Sequence, residues 1–462
     1  MTFLPHINGL RAIAVLAVML YHFKIPFLAS GFVGVDVFFV ISGYLMTSIL
    51  TSRRHVELGF LQALASFYSG RIRRIVPGLV VLCLSTVVIF GLTLLPSEFN
   101  KLLRSNTTAL LFVSNFFFRN QSSYFDIASE SSPLLHTWSL SLEWQFYLAY
   151  PVILYLLRDR GFSTKVSIIS AVCVGSFVAC VFYTTINPSG GFFLPLSRAW
   201  EFSIGALVFL YHAVLARHES SFSKTVASTA SLLGLAMLAY SLNYLDRSSF
   251  PGWQAMIPVV ASALIIADRG DTLLNRVLAR LPFQILGSIS YSLYLWHWPI
   301  YVYLVRSVTA DDPMTSMQKL LGIIISIGIS IFSYRWVETP CRVRGDFWTD
   351  RRMFYLFIIS CVTSIVFLAV ALKTNGMSFR LPDYLVNAEI AMRDQNPRRK
   401  ECFVEREIEP ASLQRPHCII GSSKNVESSV VLWGDSFANA LLPMVERVLS
   451  DAGISGIAAT VA

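Results

Sequence analysis

Long apolar runs recur between the N-terminus and residue 373, and they limit the folds open to this chain. Hydrophobic residues make up 54% of the sequence and charged residues only 14%. Because lipid leaves every backbone polar group to be bonded internally, runs that cross about 30 Å of hydrocarbon must be helices. Eleven runs approach this length: 8–24, 33–51, 76–95, 140–157, 166–185, 199–215, 225–244, 252–267, 288–306, 319–338 and 354–373. We therefore predict an all-α multispanning membrane protein of about ten core helices plus one linking helix. The shorter run Thr107–Phe118 is predicted to be an interfacial or re-entrant piece.

The distribution of Lys and Arg predicts the orientation of these helices. The formal net charge is +9 and no basic stripe is interleaved with aromatic residues, so we assign the charge to membrane topology and not to nucleic acid. With a cytoplasmic N-terminus, the inside loops are richer in basic residues than the outside loops, and they contain Arg53, Arg54, Arg71, Arg73, Arg74, Arg158, Arg160, Lys165, Arg217, Lys224, Arg269, Arg276, Arg280, Arg342, Arg344, Arg351 and Arg352. An odd number of spans then places everything after about residue 374 outside. We expect the first segment to be a retained span, because no cleavage pattern follows it.

The first span contains two ionisable residues, Arg11 and His22. Ionisable side chains inside the hydrocarbon layer are energetically unfavourable. On a helix, eleven residues at about 100° each return His22 to within about 20° of Arg11, about 16 Å further along the axis. One helix face therefore presents both side chains, which favours a polar path through the bundle. The alternative is an arginine that snorkels to the interface and a histidine bonded to a neighbouring carbonyl.

A basic turn, Arg71 to Arg74, precedes the apolar part of the third span. Arg71 and Arg74 share a helix face through their i, i+3 spacing. Guanidinium groups bind phosphates through paired hydrogen bonds, so these two residues are candidates for holding a nucleotide-bearing donor such as coenzyme A. The alternative is a positive-inside anchor without a ligand.

A carboxylate, Asp36, enters the second span beside aromatic residues. Such a group is either protonated or paired, and Arg11 and His22 are the partners that the sequence suggests. The glycines of this segment, Gly34 and Gly43 among them, are predicted to allow close helix packing.

A polar set opens the fourth span, where Trp138 and Ser139 precede Glu143. We predict that this set lines an acceptor site; an interfacial aromatic belt is the alternative. Two further stretches have the same character, namely Arg198-Ala-Trp200-Glu201 and the run that contains Tyr291 and His297.

The region after residue 373 has a different composition. Residues 374–429 are polar and contain several prolines, which predicts an extracytoplasmic linker with little structure of its own. Cys402 and Cys418 lie in it, and pairing them would stabilise the fold by about 3 kcal/mol in the chain-entropy model; free thiols are the alternative. The cysteines show no metal-binding spacing. Residues 430–462 contain Gly434-Asp435-Ser436 between an apolar strand pattern and a helical pattern.

Several motifs together resemble the family-three membrane acyltransferases. They are Arg11 and His22 with ten residues between them, Gly-Val-Asp-Val-Phe-Phe-Val-Ile-Ser-Gly-Tyr from Gly34, the turn Arg71 to Arg74, Trp-Ser-Leu-Ser-Leu-Glu from Trp138, and Ser-Tyr-Ser-Leu-Tyr-Leu-Trp-His-Trp-Pro from Ser290. The resemblance covers residues 1 to about 340. With the Gly-Asp-Ser segment, the chain is similar to bacterial O-acetyltransferases of O-antigen and envelope polysaccharides, which end in a periplasmic SGNH-hydrolase-like domain. One departure is Glu143-Trp144, where the family more often has two acidic residues, so that Glu143 alone would supply the acidic role.

The resemblance implies a division of the chain and a reaction. It implies a membrane acyltransferase domain (1–340), a linking transmembrane helix (341–373), a periplasmic linker (374–429) and the start of an α/β SGNH-like domain (430–462). It further implies that a bacterial inner-membrane enzyme transfers acetyl from cytoplasmic acetyl-CoA to a hydroxyl of an envelope glycan, in particular lipopolysaccharide O-antigen, without a metal. Its partners would be membrane lipid, acyl-CoA and the polysaccharide acceptor.

The same resemblance implies roles for single residues. Arg71 and Arg74, together with Arg11, would bind the donor phosphates, and His22 would act as general base or transient acyl carrier. The catalytic residues of the membrane domain would be Arg11, His22 and Glu143. The substrate path would be formed by Asp36, Trp138, Ser139, Tyr291 and His297.

The serine of the Gly-Asp-Ser motif, Ser436, occupies the position of the SGNH nucleophile. In SGNH hydrolases a histidine near the end of the domain activates this serine, but here no histidine follows His417 and 26 residues follow Ser436. We therefore expect the SGNH-like domain to be incomplete in this chain and Ser436 to be inactive.

The sequence is also compatible with two other functions. A multispanning secondary transporter would also contain isolated intramembrane charges, but it predicts an internal repeat between halves, and the sequence shows none. A non-catalytic partner in glycan assembly would use the exterior tail for binding.

Overall fold

The protein consists of two compact units, Met1–Met377 and Ser378–Ala462. They are described from a computed structural model that covers residues 4–52, 55, 57–121, 124, 131–215, 224–268, 272–307, 314–343, 347–393, 396–404, 418–422 and 429–461.

The described part of the first unit is helical, as predicted, and each of the eleven predicted spans contains a helix. The helices are α1 (Pro5–His22), α2 (Gly34–Leu50), α3 (Phe60–Gly91), α4 (Pro96–Leu110), α5 (Ser114–Arg119), α6 (Thr137–Leu156), α7 (Phe162–Ile186), α8 (Pro188–Phe193), α9 (Pro195–Leu215), α10 (Lys224–Tyr244), α11 (Met256–Ala267), α12 (Leu273–Leu278), α13 (Leu281–Ser288), α14 (Ser290–Val305), α15 (Ser316–Ser333), α16 (Thr339–Arg342) and α17 (Asp350–Lys373). A π-helical turn, Tyr334–Glu338, joins α15 to α16.

Seven helical segments within the described residues are long and apolar enough to cross a membrane: Gly31–Leu50, Phe60–Gly91, Phe162–Ile186, Pro188–His212, Thr225–Tyr244, Ser316–Arg342 and Asp350–Lys373. The helices at the other four predicted spans, α1, α6, α11 and α14, are shorter or richer in polar residues. The chain is therefore a multispanning helical membrane protein.

Close approach of two helices organises the centre of this bundle. Gly43 of α2 and Gly205 of α9 lie where the helices cross: a Cβ at Gly43 would stand 1.9 Å from the carbonyl oxygen of Phe202, and one at Gly205 would stand 2.0 Å from that of Val40. The sequence prediction that the glycines of α2 permit close packing agrees with this geometry. Helix α1 packs beside α2 and also contacts α13 and α14.

Helix α3 is longer than a membrane crossing requires. Its 32 residues extend about 48 Å at 1.5 Å per residue, against about 30 Å of hydrocarbon. The basic turn Arg71 to Arg74 lies in its first half, which allows these residues to lie at one end of the bundle while the remainder of α3 crosses the apolar layer.

The segment predicted to be interfacial or re-entrant, Thr107–Phe118, consists of the end of α4 and the short helix α5. It is not among the helices long and apolar enough to span a membrane. Its polar side chains are bonded within the protein: the hydroxyl groups of Thr107 and Ser364 are 2.8 Å apart, and the Asn115 amide donates to the Phe193 carbonyl at 3.1 Å.

The second unit contains a small sheet built around one strand, β4 (Ser455–Val461). The strand β3 (Val430–Gly434) pairs with it in parallel along one edge, and on the other edge β2 (Cys418–Gly421) pairs antiparallel and β1 (Phe403–Val404) parallel. The unit also contains a 3-10 helix, Ser378–Arg380, and the helices α18 (Asp383–Arg393), α19 (Arg399–Cys402) and α20 (Ser436–Asp451).

The predicted linker, residues 374–429, differs from that expectation because its described residues contribute two strands to this sheet. Cys402 and Cys418 form a disulfide inside a small core with Ile420, Leu442 and Leu449. The strand, turn and helix around Ser436 are present as β3, Asp435 and α20.

Candidate functional site

A cluster of positive charge in the described bundle lines a cavity of about 560 Å³, which we call the cationic cavity. Arg11 of α1, Arg71 and Arg74 of α3 and Arg342 of α16 line it together with His55. The Nε and Nη1 atoms of Arg71 are buried and have no hydrogen-bond partner within the described residues. Unpaired buried guanidinium donors are costly, so this cavity favours an anionic ligand with oxygen acceptors.

Arg73, between the two predicted donor-binding arginines, is held in a different way. Its Nε lies 2.6 Å from Asp350 Oδ1, and its Nη atoms donate to the Cys341 carbonyl at 3.0 Å and to the Trp348 carbonyl at 2.5 Å. The Arg73 side chain borders the cationic cavity, but its guanidinium joins α3 to α16, to Trp348 and to the start of α17.

Arg342 was not predicted as a site residue, and its position depends on a buried carboxylate. Arg342 Nη2 lies 2.8 Å from Glu338 Oε2, and Glu338, which is fully buried, also accepts a hydrogen bond from Ser292. Glu338 ends the π-helical turn, a local structure that is frequent at functional sites. The sequence signal that could have indicated this pair is the carboxylate of Glu338 at the end of the predicted span 319–338.

An inner cavity of about 70 Å³ adjoins the cationic cavity, because Arg11 and Arg74 line both. The predicted residues Glu143, Ser139 and Tyr291 also line it. Its other polar lining residues are Ser42, Tyr147, Ser290 and Tyr294. Glu143 Oε1 accepts hydrogen bonds from the hydroxyl groups of Ser42 and Tyr147. The carboxylate is therefore held by α2 and by its own helix α6 while it faces the cavity.

His22 lies in a cluster of aromatic side chains beyond the inner cavity. Its Nδ1 is 3.0 Å from His297 Nε2, and its Nε2 is 3.1 Å from the Tyr124 hydroxyl. The Trp298 ring meets the His22 ring edge-on at 4.5 Å between centroids. His22 and His297 are both buried.

The hydrogen bonds assign the protons of both rings when the rings are neutral. His297 Nδ1 lies 2.9 Å from the Leu293 carbonyl, which can only accept, so this nitrogen has the proton and Nε2 has the lone pair. His22 Nδ1 must then donate to His297. The lone pair of His22 consequently lies on Nε2, where Tyr124 donates to it.

Tyr294 connects the inner cavity to the histidines. Its hydroxyl oxygen lies 2.6 Å from Ser139 Oγ and 2.9 Å from the His136 carbonyl oxygen, and its ring centroid is 5.7 Å from that of His297. The polar groups thus form a row from Arg71 and Arg74 through Glu143 and Tyr294 to His297 and His22. Of the predicted residues, Arg11, Arg71, Arg74, Ser139, Glu143, Tyr291, His297 and His22 all lie along this row.

Asp36 does not lie on this row, and neither partner suggested by the sequence pairs with it. Asp36 Oδ1 is 3.1 Å from Arg198 Nη2, and Arg198 Nη1 is 2.9 Å from Glu201 Oε1. The glycine crossing explains this pairing: Asp36 and Arg198 each lie seven residues, about two turns, before the crossing glycine of its own helix. Trp138, also predicted on the substrate path, packs against Arg198, with 5.9 Å from Arg198 Cζ to its ring centroid.

Ser436 of the second unit is exposed and is the first residue of α20. The Asp435 side chain accepts a hydrogen bond from the Phe437 backbone at 2.9 Å and so caps the helix. The described residues of this unit include no histidine, since His417 lies outside them. Inactivity of Ser436 stays a prediction. Among the described residues no group of three or more His, Cys, Asp or Glu side chains is arranged to hold a metal ion.

Comparison with known proteins identifies both units. A family model described as an acyltransferase domain matches residues 4–335, and a model described as an SGNH domain fused to AT3 domains matches residues 401–462, so this domain begins earlier than the predicted residue 430. The chain is 30% identical over 357 residues to O-acetyltransferase OatA of Staphylococcus aureus, an alignment that covers 74% of this chain and 58% of that protein. It is 28% identical over 355 residues to peptidoglycan O-acetyltransferase OatA of Listeria monocytogenes, with 74% and 56% covered.

The chain therefore spans less than two thirds of the length of these curated relatives. No solved structure matches it significantly. The family match covers most of the chain and includes every described residue that lines the inner cavity. This chain belongs to the membrane-spanning acyltransferase family three, and its C-terminal part belongs to the SGNH domains that are fused to members of that family.

Proposed function

We propose that the chain transfers an acetyl group from coenzyme A to a hydroxyl of a cell-envelope glycan. The observation that carries this proposal is the row of buried polar groups that begins at the cationic cavity and ends at His22 Nε2. A thioester donor needs cations for its phosphates and a base near its carbonyl, and this row offers both. A secondary transporter would have no need for a histidine whose lone pair is oriented by a second histidine.

Each end of the row has a separate task in the proposed reaction. Arg71, Arg74 and Arg342 hold the donor phosphates, and the acyl arm enters the inner cavity beside Glu143. At the other end, the Tyr124 hydroxyl marks the position at which an acceptor hydroxyl bonds to His22 Nε2.

The proposed transfer proceeds in two proton movements. His22 Nε2 takes the proton of the acceptor hydroxyl, and the hydroxyl oxygen forms a bond to the thioester carbonyl carbon. The carbon–sulfur bond then breaks, and the coenzyme A thiolate takes the proton back from His22. Ester and free thiol are the products, and no metal takes part.

The loop charges support a proposal for the orientation of the chain in the membrane. We propose that the N-terminus is cytoplasmic and that the chain lies in the bacterial inner membrane, since basic residues concentrate in the loops on that side. Arg11 then lies nearer the donor, and His22 about 16 Å nearer the acceptor. The two substrates meet inside the bundle from opposite sides of the membrane.

For the acceptor we propose a glycan of the envelope. The motifs resemble enzymes acting on O-antigen, whereas the Listeria relative is named a peptidoglycan O-acetyltransferase, and this favours peptidoglycan over lipopolysaccharide as the first acceptor to test.

The test is transfer by the purified chain in detergent, followed as free thiol release from acetyl-CoA and as ester on the acceptor. Peptidoglycan fragments and O-antigen polysaccharide are supplied in parallel. His22→Ala and Arg71→Ala should abolish or strongly reduce release, while His212→Ala, at a buried histidine outside the row, should not. Unchanged thiol release in both site variants would contradict the proposal.

A further inference from the structure

A second cavity of about 560 Å³ adjoins the cationic cavity, and the proposed function gives it no role so far. His55 lines both cavities, so they are neighbours. We call the second one the outer cavity. Its walls come from the end of α6, the start of α7, the start of α3 and parts of α2 and α9. Its volume lies within the range of about 300–1,000 Å³ that is usual for small-molecule sites.

The outer cavity combines aromatic and cationic side chains. Tyr155 and Phe162 contribute aromatic surface, and Arg158, Arg160 and Lys165 contribute positive charge. No acidic side chain lines the described wall. Such a mixture suits a nucleotide, because the base packs on aromatic rings while the phosphate oxygens accept hydrogen bonds from Arg and Lys.

Contacts within the wall leave part of its charge available. The Arg158 guanidinium lies 4.2 Å from the Tyr155 ring centroid, and Lys165 Nζ donates to the Arg158 carbonyl at 2.8 Å. Asp159 lies 3.3 Å from Arg158 Nε, but its side chain is 87% exposed and it does not line the cavity. The Arg160 backbone amide donates to the Leu157 carbonyl at 3.0 Å, but the Arg160 side chain forms no ion pair or hydrogen bond with the described residues. Helix α7 also begins here, and its positive dipole end adds to the potential.

Helix α6 lines the inner and outer cavities, and between them it contacts Arg71 of the cationic cavity. Glu143 lines the inner cavity, Tyr147 lies beside Arg71 with 5.8 Å from Arg71 Cζ to the Tyr147 ring centroid, and Tyr155 lines the outer cavity. From Glu143 to Tyr155 the helix rises about 18 Å. Along this distance the walls change from hydroxyl and carboxylate groups to clustered arginines and then to aromatic rings with cations.

We propose that the outer cavity binds the nucleotide end of coenzyme A, with the adenine against Tyr155 and Phe162 and the 3′-phosphate at Arg158, Arg160 and Lys165. This inference rests on the proposed function, since it takes coenzyme A as the donor. It adds that the donor is recognised at three separate places: the acyl arm in the inner cavity, the diphosphate in the cationic cavity and the 3′-phosphorylated nucleoside in the outer cavity.

The test compares acetyl-CoA with acetyl-dephospho-CoA, which lacks only the 3′-phosphate. Affinities of the purified chain in lipid-free detergent are measured by competition with radiolabelled coenzyme A. We expect wild-type protein to bind acetyl-CoA about tenfold more tightly than acetyl-dephospho-CoA. A factor of this size corresponds to the loss of at least one charge-assisted hydrogen bond. In the variant with Arg160→Gln and Lys165→Gln, acetyl-CoA should bind as weakly as acetyl-dephospho-CoA, whose own affinity should be unchanged.

The control is Lys101→Gln, at an exposed cation of α4 that lines none of these cavities. It should retain the wild-type preference. Equal affinities for the two thioesters in wild type, or an undiminished preference in the double variant, would overturn the inference while leaving the proposed function intact. Failure of the wild type to bind either thioester would overturn both.

An anionic lipid is the other source of phosphate at this position. Vesicles of phosphatidylglycerol are therefore added to a second series. If the lipid binds in a manner abolished by the double variant and does not compete with acetyl-CoA, the cavity is a lipid site and the inference is wrong. Competition between free adenosine 3′,5′-bisphosphate and acetyl-CoA, lost in the double variant, supports it.

Discussion

The pair His22 and His297 shows how a hydrogen bond selects the reactive nitrogen of a buried histidine. The Leu293 carbonyl fixes the proton of His297, and His297 in turn fixes the proton of His22, so the lone pair of His22 lies on Nε2, which faces Tyr124. Removing His297 leaves His22 able to turn or to exchange tautomers. His297 is thus a positioning residue in the proposed reaction, and its effect should appear in turnover and not in donor affinity.

General-base catalysis contributes about 10²–10⁴-fold to a rate. We predict that His297→Phe loses part of this factor from kcat and leaves KM for acetyl-CoA unchanged. His297→Gln should restore part of kcat, because its amide oxygen can accept the proton of His22 Nδ1. Steady-state thiol release gives both constants. His212→Gln serves as the control at a buried histidine outside the row. A rise in KM without a fall in kcat would assign His297 to donor binding instead.

Two neighbouring arginines of α3 should have different roles, Arg73 in the stability of the fold and Arg71 in binding of the donor. Arg73 makes one ion pair and two carbonyl hydrogen bonds, whereas two nitrogens of Arg71 are without a described partner. One hydrogen bond to a charged group contributes about 1.5–3 kcal/mol. We predict that Arg73→Ala lowers the free energy of unfolding by at least this amount. Arg71→Ala should leave it unchanged and raise KM for the donor.

Thermal unfolding in detergent and steady-state kinetics, measured on both arginine variants, check this pair of expectations. Asp350→Asn is a second variant on the stability side, because it weakens the Arg73 contact from outside the cationic cavity. If Arg71→Ala lowers the Tm as much as Arg73→Ala, the arginines share a structural role and the division between them is wrong.

At the scale of helices, the crossing of α2 and α9 determines which buried charges meet. The absence of a Cβ at Gly43 and Gly205 lets the backbones touch, and two turns away Asp36 reaches Arg198. We predict that Gly43→Ala, whose Cβ would overlap the Phe202 carbonyl, costs about 1–3 kcal/mol of unfolding free energy, as overpacking usually does.

The matched control for this crossing is Gly175→Ala in α7, where an added Cβ meets nothing within 4 Å. That change should be neutral or stabilise by about 0.5–1 kcal/mol, since alanine favours a helix over glycine. Tm in detergent measures both. Equal effects of the two substitutions would mean that the crossing is looser than its geometry indicates.

Sequence periodicity predicted the helices and the common face of Arg11 and His22, because both depend on residues close in the chain. The partners of single side chains depend on which helices are neighbours. Asp36 pairs with Arg198, 162 positions away, and nothing local in α2 indicates it. The i, i+3 spacing separated Arg71 and Arg74 from Arg73, but the partner of Arg73, Asp350, lies 277 positions away and could not be predicted from it. Glu338 was not singled out from the sequence, although it ends a predicted span, and its bond to Arg342 depends on the π-helical turn.

At the scale of the whole molecule, the 377 residues of the first unit and the 85 of the second meet different physical demands. The bundle buries its polar row with many helices around it. The second unit has a small core, and its described buried apolar residues number six, of which two are the disulfide cysteines. A unit with so little buried apolar surface depends more strongly on a covalent constraint.

We therefore predict that the disulfide stabilises the second unit selectively. Cys402 and Cys418 are 16 positions apart, and closing a loop of about 15 residues is worth about 3 kcal/mol in the chain-entropy model. Replacing both with serine should make residues 378–462 sensitive to limited proteolysis while the bundle keeps its Tm and its thiol release from acetyl-CoA. The control is Cys361→Ser, at a free buried cysteine of α17, which should leave proteolysis of the second unit unchanged. Equal protease resistance of the wild-type and double-serine chains would show that the sheet around β4 is stable without the bond.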